Sequence, residues 1–88
     1  PKVTIEIAGR AFGEPVTVEA GAAVAFVNRD DTSHTVTEGI AGHANYGTAC
    51  VTQRLHPGES TVVAFAEAGD YPITCTIHAS MHTTVHVR

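Results

Sequence analysis

With 88 residues, 43% of them hydrophobic and 16% charged, the chain can build one compact domain over residues 1–88 and has no length for a second. Its formal net charge of -4, with five Lys and Arg in all, excludes the clustered cations that nucleic-acid phosphates require and makes a basic or mixed protein surface the easier partner. No apolar run approaches the roughly 20 residues of a membrane helix, so no transmembrane segment is expected; the start at Pro1 shows no signal peptide and reads as processed, an export signal being absent from this chain. A domain this small buries only about two-thirds of its unfolded surface, so a metal that ties distant segments together would add stability.

Val3, Ile5 and Ile7 alternate with polar neighbours and predict a half-buried strand; Gly9 and Gly13 bracket a turn region, and Val16 and Val18 resume the alternation. After Glu19-Ala20-Gly21, residues 23–28 form a more continuously apolar strand suited to the inside of a sandwich. Residues 28–33 are polar and turn the chain, and His34 and Val36 then share one face of a short strand. Residues 38–50 show neither helical nor strand period. Leu55-His56-Pro57-Gly58-Glu59 reads as a turn, 61–65 as a strand, Glu67-Ala68-Gly69-Asp70 as a tight turn, 71–75 as a strand, and 83–87 as the last. Seven to eight short strands separated by turns predict an all-β, Greek-key sandwich, without internal repeats.

Chemistry concentrates in Tyr71-Pro72-Ile73-Thr74-Cys75-Thr76-Ile77-His78-Ala79-Ser80-Met81, where Cys, His and Met recur at three-residue intervals. On a strand Cys75 and His78 would face opposite sides, whereas a tight loop turns Cys75, His78 and Met81 to one point. The best fourth ligand is His34, inward-facing at the end of its strand. Two imidazoles and a thiolate with a weak thioether suit one copper ion, because Cu(I) favours sulfur and Cu(II) accepts imidazole. Zinc would prefer more Cys or His and no Met. A rigid sandwich holding one ligand set for both oxidation states keeps reorganisation small, as single-electron transfer requires.

Other candidates are blander. Cys50 reads as a small buried residue or a free thiol, since a disulfide to Cys75 would destroy the metal site. His43, Cys50 and His56 could in principle bind a second metal but lack ligand spacing. His82 and His86 are expected on the surface, and six His make net charge sensitive to mild acid.

These residues resemble the small cupredoxins, blue copper proteins of the amicyanin and plastocyanin type. Val18-Glu19-Ala20-Gly21 followed by Phe26-Val27-Asn28 is similar to the family's approach to its first His ligand, with Asn28 six residues before His34. Leu55-His56-Pro57-Gly58-Glu59 resembles the turn before its penultimate strands, Phe65-Ala66-Glu67-Ala68-Gly69-Asp70-Tyr71 the approach to the ligand Cys, and the spacing of Cys75, His78 and Met81 the short amicyanin loop. Ile77 and Ala79 stand where such loops often carry Pro, and Thr35 where plastocyanins usually have Asn. The resemblance implies an extracytoplasmic, periplasmic or cell-surface, location. It also implies a His78 edge that meets transient redox partners through an apolar patch and that leaves Cu(I) on protonation at low pH.

An electron carrier that is not an enzyme, and is a monomer, is therefore the leading expectation. A domain excised from a larger copper oxidoreductase is the first rival, yet Thr74 and Thr76, not His, flank Cys75, no His-x-His pair occurs, and Tyr71 holds the place of a second Cys. Copper storage or delivery is the second rival, with one Met in the chain weighing against it. A purely adhesive sandwich would leave four ligand-type residues converging by accident.

Overall fold

The computed structural model describes residues 3–40, 43–44, 52–78 and 80–88. Within them the chain forms β1 (Val3–Ile7), β2 (Val16–Val18), β3 (Ala22–Asn28), β4 (His34–Ile40), the two-residue β5 (His43–Ala44), β6 (Thr52–Leu55), β7 (Ser60–Phe65), β8 (Gly69–Thr74) and β9 (His82–Val87). One sheet has the order β1-β3-β7; the other runs β2-β9-β8-β4-β5, with β6 also paired to β4. β1 lies parallel to β3 and β2 parallel to β9, so the N-terminal segment pairs first in one sheet and then in the other. This is the all-β Greek-key sandwich that the strand spacing predicts.

Period-two patterning sets which side chains meet between the sheets. Ile5, Ile7, Val24 and Phe26 come from the first sheet, and Val36, Ile73, Val85 and Val87 from the second. Full burial of a side chain of this size contributes about 1.5–3 kcal/mol. Phe65 and Tyr71 pack with ring planes tilted by 54° and centroids 5.1 Å apart, and the Tyr71 hydroxyl donates to the Glu67 carbonyl at 2.7 Å, closing the corner between β7 and β8.

Two local readings need correction. Leu55 is the last residue of β6 and not part of the turn, which occupies residues 56–59. β6 escaped the pattern because Thr52, Gln53 and Arg54 are all exposed and only Leu55 faces inward. Gly69 and Asp70 belong to β8, not to a tight turn, with Gly69 opposite Val87 and Asp70 opposite His86. Gly69 takes φ 154°, which residues with a Cβ rarely adopt, and lets the strand begin there. In the stretch without period, β4 continues to Ile40 and β5 follows, while Cys50 lies outside the described residues.

Candidate metal centre

The connection from β8 to β9, residues 75–81, and the start of β4 meet at one end of the second sheet. Strand register brings them together: Thr37 pairs with Thr74 across β4 and β8, and Thr74 with His82 across β8 and β9. The loop closes on itself, because the Met81 N–H donates to the His78 carbonyl at 2.9 Å. The Met81 carbonyl accepts from the Thr74 hydroxyl at 2.9 Å and the Cys75 N–H at 3.4 Å. A loop tied this tightly can turn residues three apart toward one point, which an extended strand cannot.

Cys75 and His34 are fully buried and His78 is half-buried. Cys75 Sγ lies 3.9 Å from His34 Nδ1 and 3.9 Å from His78 Nδ1, and the three donor atoms are all within 4.8 Å of one another. With metal bonds of about 2.0 Å to nitrogen and about 2.3 Å to sulfur, one ion in a trigonal plane needs sulfur–nitrogen separations of about 3.7 Å. The donors thus fit a shared ion with little movement. Among the described residues this is the group of His, Cys and acidic side chains arranged to hold a metal. Met81 is buried at the end of the loop. His56 instead contacts the Ser33 hydroxyl through Nδ1 at 3.1 Å, the His43 side chain and Cys50 fall outside the described residues, His82 is exposed, and His86 pairs with Asp70.

Burial is the strongest influence on the Cys75 thiol and pushes its pKa up. The Thr35 N–H donating to Sγ at 3.3 Å, followed by His34 and His78, outweighs it and brings the pKa down to about 6. Cys75 is free and deprotonated at neutral pH, ready to bind a soft cation without first losing a proton.

Three supporting residues have no metal-ligand signature. Thr35 Oγ1 accepts the Thr76 N–H at 2.8 Å and the Thr37 hydroxyl at 3.1 Å, and lies 3.0 Å from Thr76 Oγ1, so one side chain ties the two ligand segments together. Buried Asn28 donates through Nδ2 to the carbonyls of Thr32 and Leu55, both at 2.9 Å, and accepts the Asp30 N–H through Oδ1, pinning the turn that leads to His34. Asp30 Oδ2 lies 2.7 Å from His34 Nε2. The Arg10 N–H first, then His34 and the Gly9 N–H, hold the Asp30 carboxyl below the usual carboxylate range against the opposing effect of its partial burial. Asn28 was legible through family resemblance and Thr35 only as a departure from it, at a place where plastocyanins usually have Asn; Asp30 carried no signal beyond turn composition.

A Greek-key sandwich that gathers a buried thiolate and two imidazoles at one end defines a small blue copper protein of the cupredoxin class. Residues 2–88 match the copper binding proteins of the plastocyanin/azurin family, and the chain belongs to that family: it is a copper-binding electron-transfer protein. No curated protein sequence gives a significant match. Among solved structures, the Cu(I) form of an amicyanin variant superimposes with a TM-score of 0.79 at 21% identity, covering 98% of this chain and 81% of that one. The oxidized state of another amicyanin variant gives 0.77 at 25% identity with the same coverage. A copper-containing nitrite reductase from Thermus scotoductus SA-01 gives 0.84 at 24% identity, covering 98% of this chain and 22% of that chain.

Proposed function

We propose that residues 1–88 form a single-domain, monomeric, extracytoplasmic carrier that passes single electrons between protein partners, with His34, Cys75, His78 and Met81 as the ligands of one copper ion. Copper held there supplies a one-electron couple between Cu(I) and Cu(II). The observation that carries the reading is the convergence of three donor atoms within 4.8 Å at the buried end of a copper-family sandwich.

Each residue has a distinct task. Cys75 presents a thiolate at neutral pH because the Thr35 N–H and the two imidazoles offset its burial. His34, fully buried, is held by Asp30 and shielded from water. Met81 offers a thioether from a protected position and would be a weak sulfur donor to copper that helps to set the potential. His78 is the half-buried member of the set, and its neighbour Ile77 is 43% exposed, an unusual exposure for a large aliphatic side chain. Together they form the face on which a partner docks for outer-sphere transfer, in an encounter burying less than about 1,200 Å² so that it separates quickly.

The test pairs voltammetry with electron exchange to a small soluble cytochrome. Ile77→Asn is expected to slow exchange several-fold and leave the potential unchanged; an unaltered rate would move the docking face elsewhere. Copper retained through repeated redox cycling against a chelator supports the carrier, whereas ready loss would favour storage or delivery.

A further inference from the structure

Residues 8–11 form a two-residue hairpin turn in which Ala8 and Ala11 exchange both backbone hydrogen bonds at 3.1 Å. Its central residues Gly9 and Arg10 have φ of 61° and 55°, the pair of positive values that such a turn requires. Arg10 is unusual there, since a residue with a Cβ avoids this conformation. The turn aims two successive N–H groups at one carboxylate: Gly9 donates to Asp30 Oδ1 at 2.7 Å and Arg10 to Asp30 Oδ2 at 2.9 Å. Such paired amides make an anion-holding concavity. Asp30 Oδ2 is also the atom facing His34 Nε2, and the Asp30 backbone is fixed from its other side by Asn28.

A carboxylate that accepts two backbone N–H groups has no proton to give, so a hydrogen bond to His34 must come from Nε2–H. His34 Nδ1 then keeps its lone pair, and Nδ1 is the atom 3.9 Å from Cys75 Sγ. We propose that Asp30 is the positioning residue of His34, and that the turn at residues 8–11 fixes Asp30 so that the imidazole holds the single tautomer whose Nδ1 can bind the metal. The inference rests on the reading of His34 as a copper ligand. It extends the metal centre to a hairpin more than twenty residues away in sequence, and it follows the general pattern in which a carboxylate orients a metal-binding His and raises its basicity.

The experiment reads the His34 ring nitrogens by NMR in the metal-free 88-residue chain at neutral pH. Wild type is expected to show Nε2–H alone. Asp30→Asn preserves shape but introduces amide donors, and one of its two orientations satisfies Nε2 as an acceptor, so the Nδ1–H form should appear. Copper affinity should then fall roughly 10- to 100-fold, and loss of the negative charge should raise the potential by about tenfold in the exchange equilibrium, 59 mV for one electron. Asp30→Ala, which leaves Nε2 to water, should raise the potential similarly with less of the Nδ1–H form. Should Asp30→Asn not fold, a glycine inserted between Gly9 and Arg10 displaces the two N–H groups while keeping Asp30 and His34, and should likewise bring out the Nδ1–H form and lower copper affinity, with the potential changed less because the carboxylate charge remains. His34 remaining wholly Nε2–H in every variant would overturn the proposal. Failure of the ligand reading is separate: it would show as a copper–thiolate band indifferent to His34→Ala, with the tautomer measurement unaffected.

Discussion

Residues 75–81 bring three candidate ligands to the metal end within one hairpin connection, whereas residues 28–34 bring one, His34, and commit Asn28 and Asp30 to holding it. In the first segment geometry is local: the loop is closed by its own backbone hydrogen bonds, from Met81 to His78 and from Cys75 to Met81. In the second it is tertiary, anchored to Leu55 on β6 and to Gly9 and Arg10 beyond β1. The difference suggests a division of labour in which the loop chooses the metal and the turn gives the site its rigidity. Thr35 joins them, donating its N–H to Cys75 and binding Thr76 through its hydroxyl.

Substitutions on the tertiary side should therefore cost more fold stability than those in the loop. The largest effect is expected for Asn28→Ala, which removes three side-chain hydrogen bonds of about 1 kcal/mol each and orphans buried partners. Denaturant unfolding of the metal-free chain should show a loss of about 3 kcal/mol; an effect comparable to that of Ser80→Ala in the loop would break the comparison.

Thr35→Ala should come next, costing about 1–2 kcal/mol through the hydrogen bonds its hydroxyl makes to Thr76 and Thr37. Its N–H to Cys75 is kept, so the thiolate should persist while copper dissociates faster. A thiol returned to ordinary acidity in this variant would mean that the hydroxyl, not the amide, carries the effect.

Acidity sharpens the same contrast. The Cys75 thiol lies at about 6 in the folded chain against 9.0 in its absence, so between those values the unfolded state binds more protons. Metal-free stability should rise with pH across that window, be full above it, and be lost as pH falls through about 6. Thiolate ultraviolet absorbance and denaturant midpoints measured together check this, and Cys75→Ser should flatten the slope. The smallest effect belongs to Arg29→Ala at the exposed Glu6 pair beside the turn, about 0–1 kcal/mol and weakened by salt.

The contrast also explains what could be read from sequence. Alternation of Val3, Ile5 and Ile7 and of Val85 and Val87 announced strands because each faces one core, and the Cys75, His78, Met81 spacing announced a loop site because its geometry is local. β6 was invisible because three of its four side chains face solvent and pairing with β4 defines it. Gly69 and Asp70 looked like a turn because composition does not report the pairing with β9 that makes them strand. Asp30 is one polar residue among several in a turn, and only the arrival of residues 8–11 gives its carboxylate a task. Thr35 was marked only as standing where plastocyanins usually have Asn, and its task stayed hidden because its partners Thr76 and Cys75 are forty or more positions away.

The central claim is that Cys75 binds copper as a thiolate within a site completed by His34 and His78. The most direct measurement is the visible spectrum of the chain loaded with one equivalent of Cu(II), repeated with Cys75→Ser. An intense thiolate-to-copper band that disappears in the variant and on reduction is the expected result. A pale solution with only weak copper absorption, the same in both proteins, would contradict the claim.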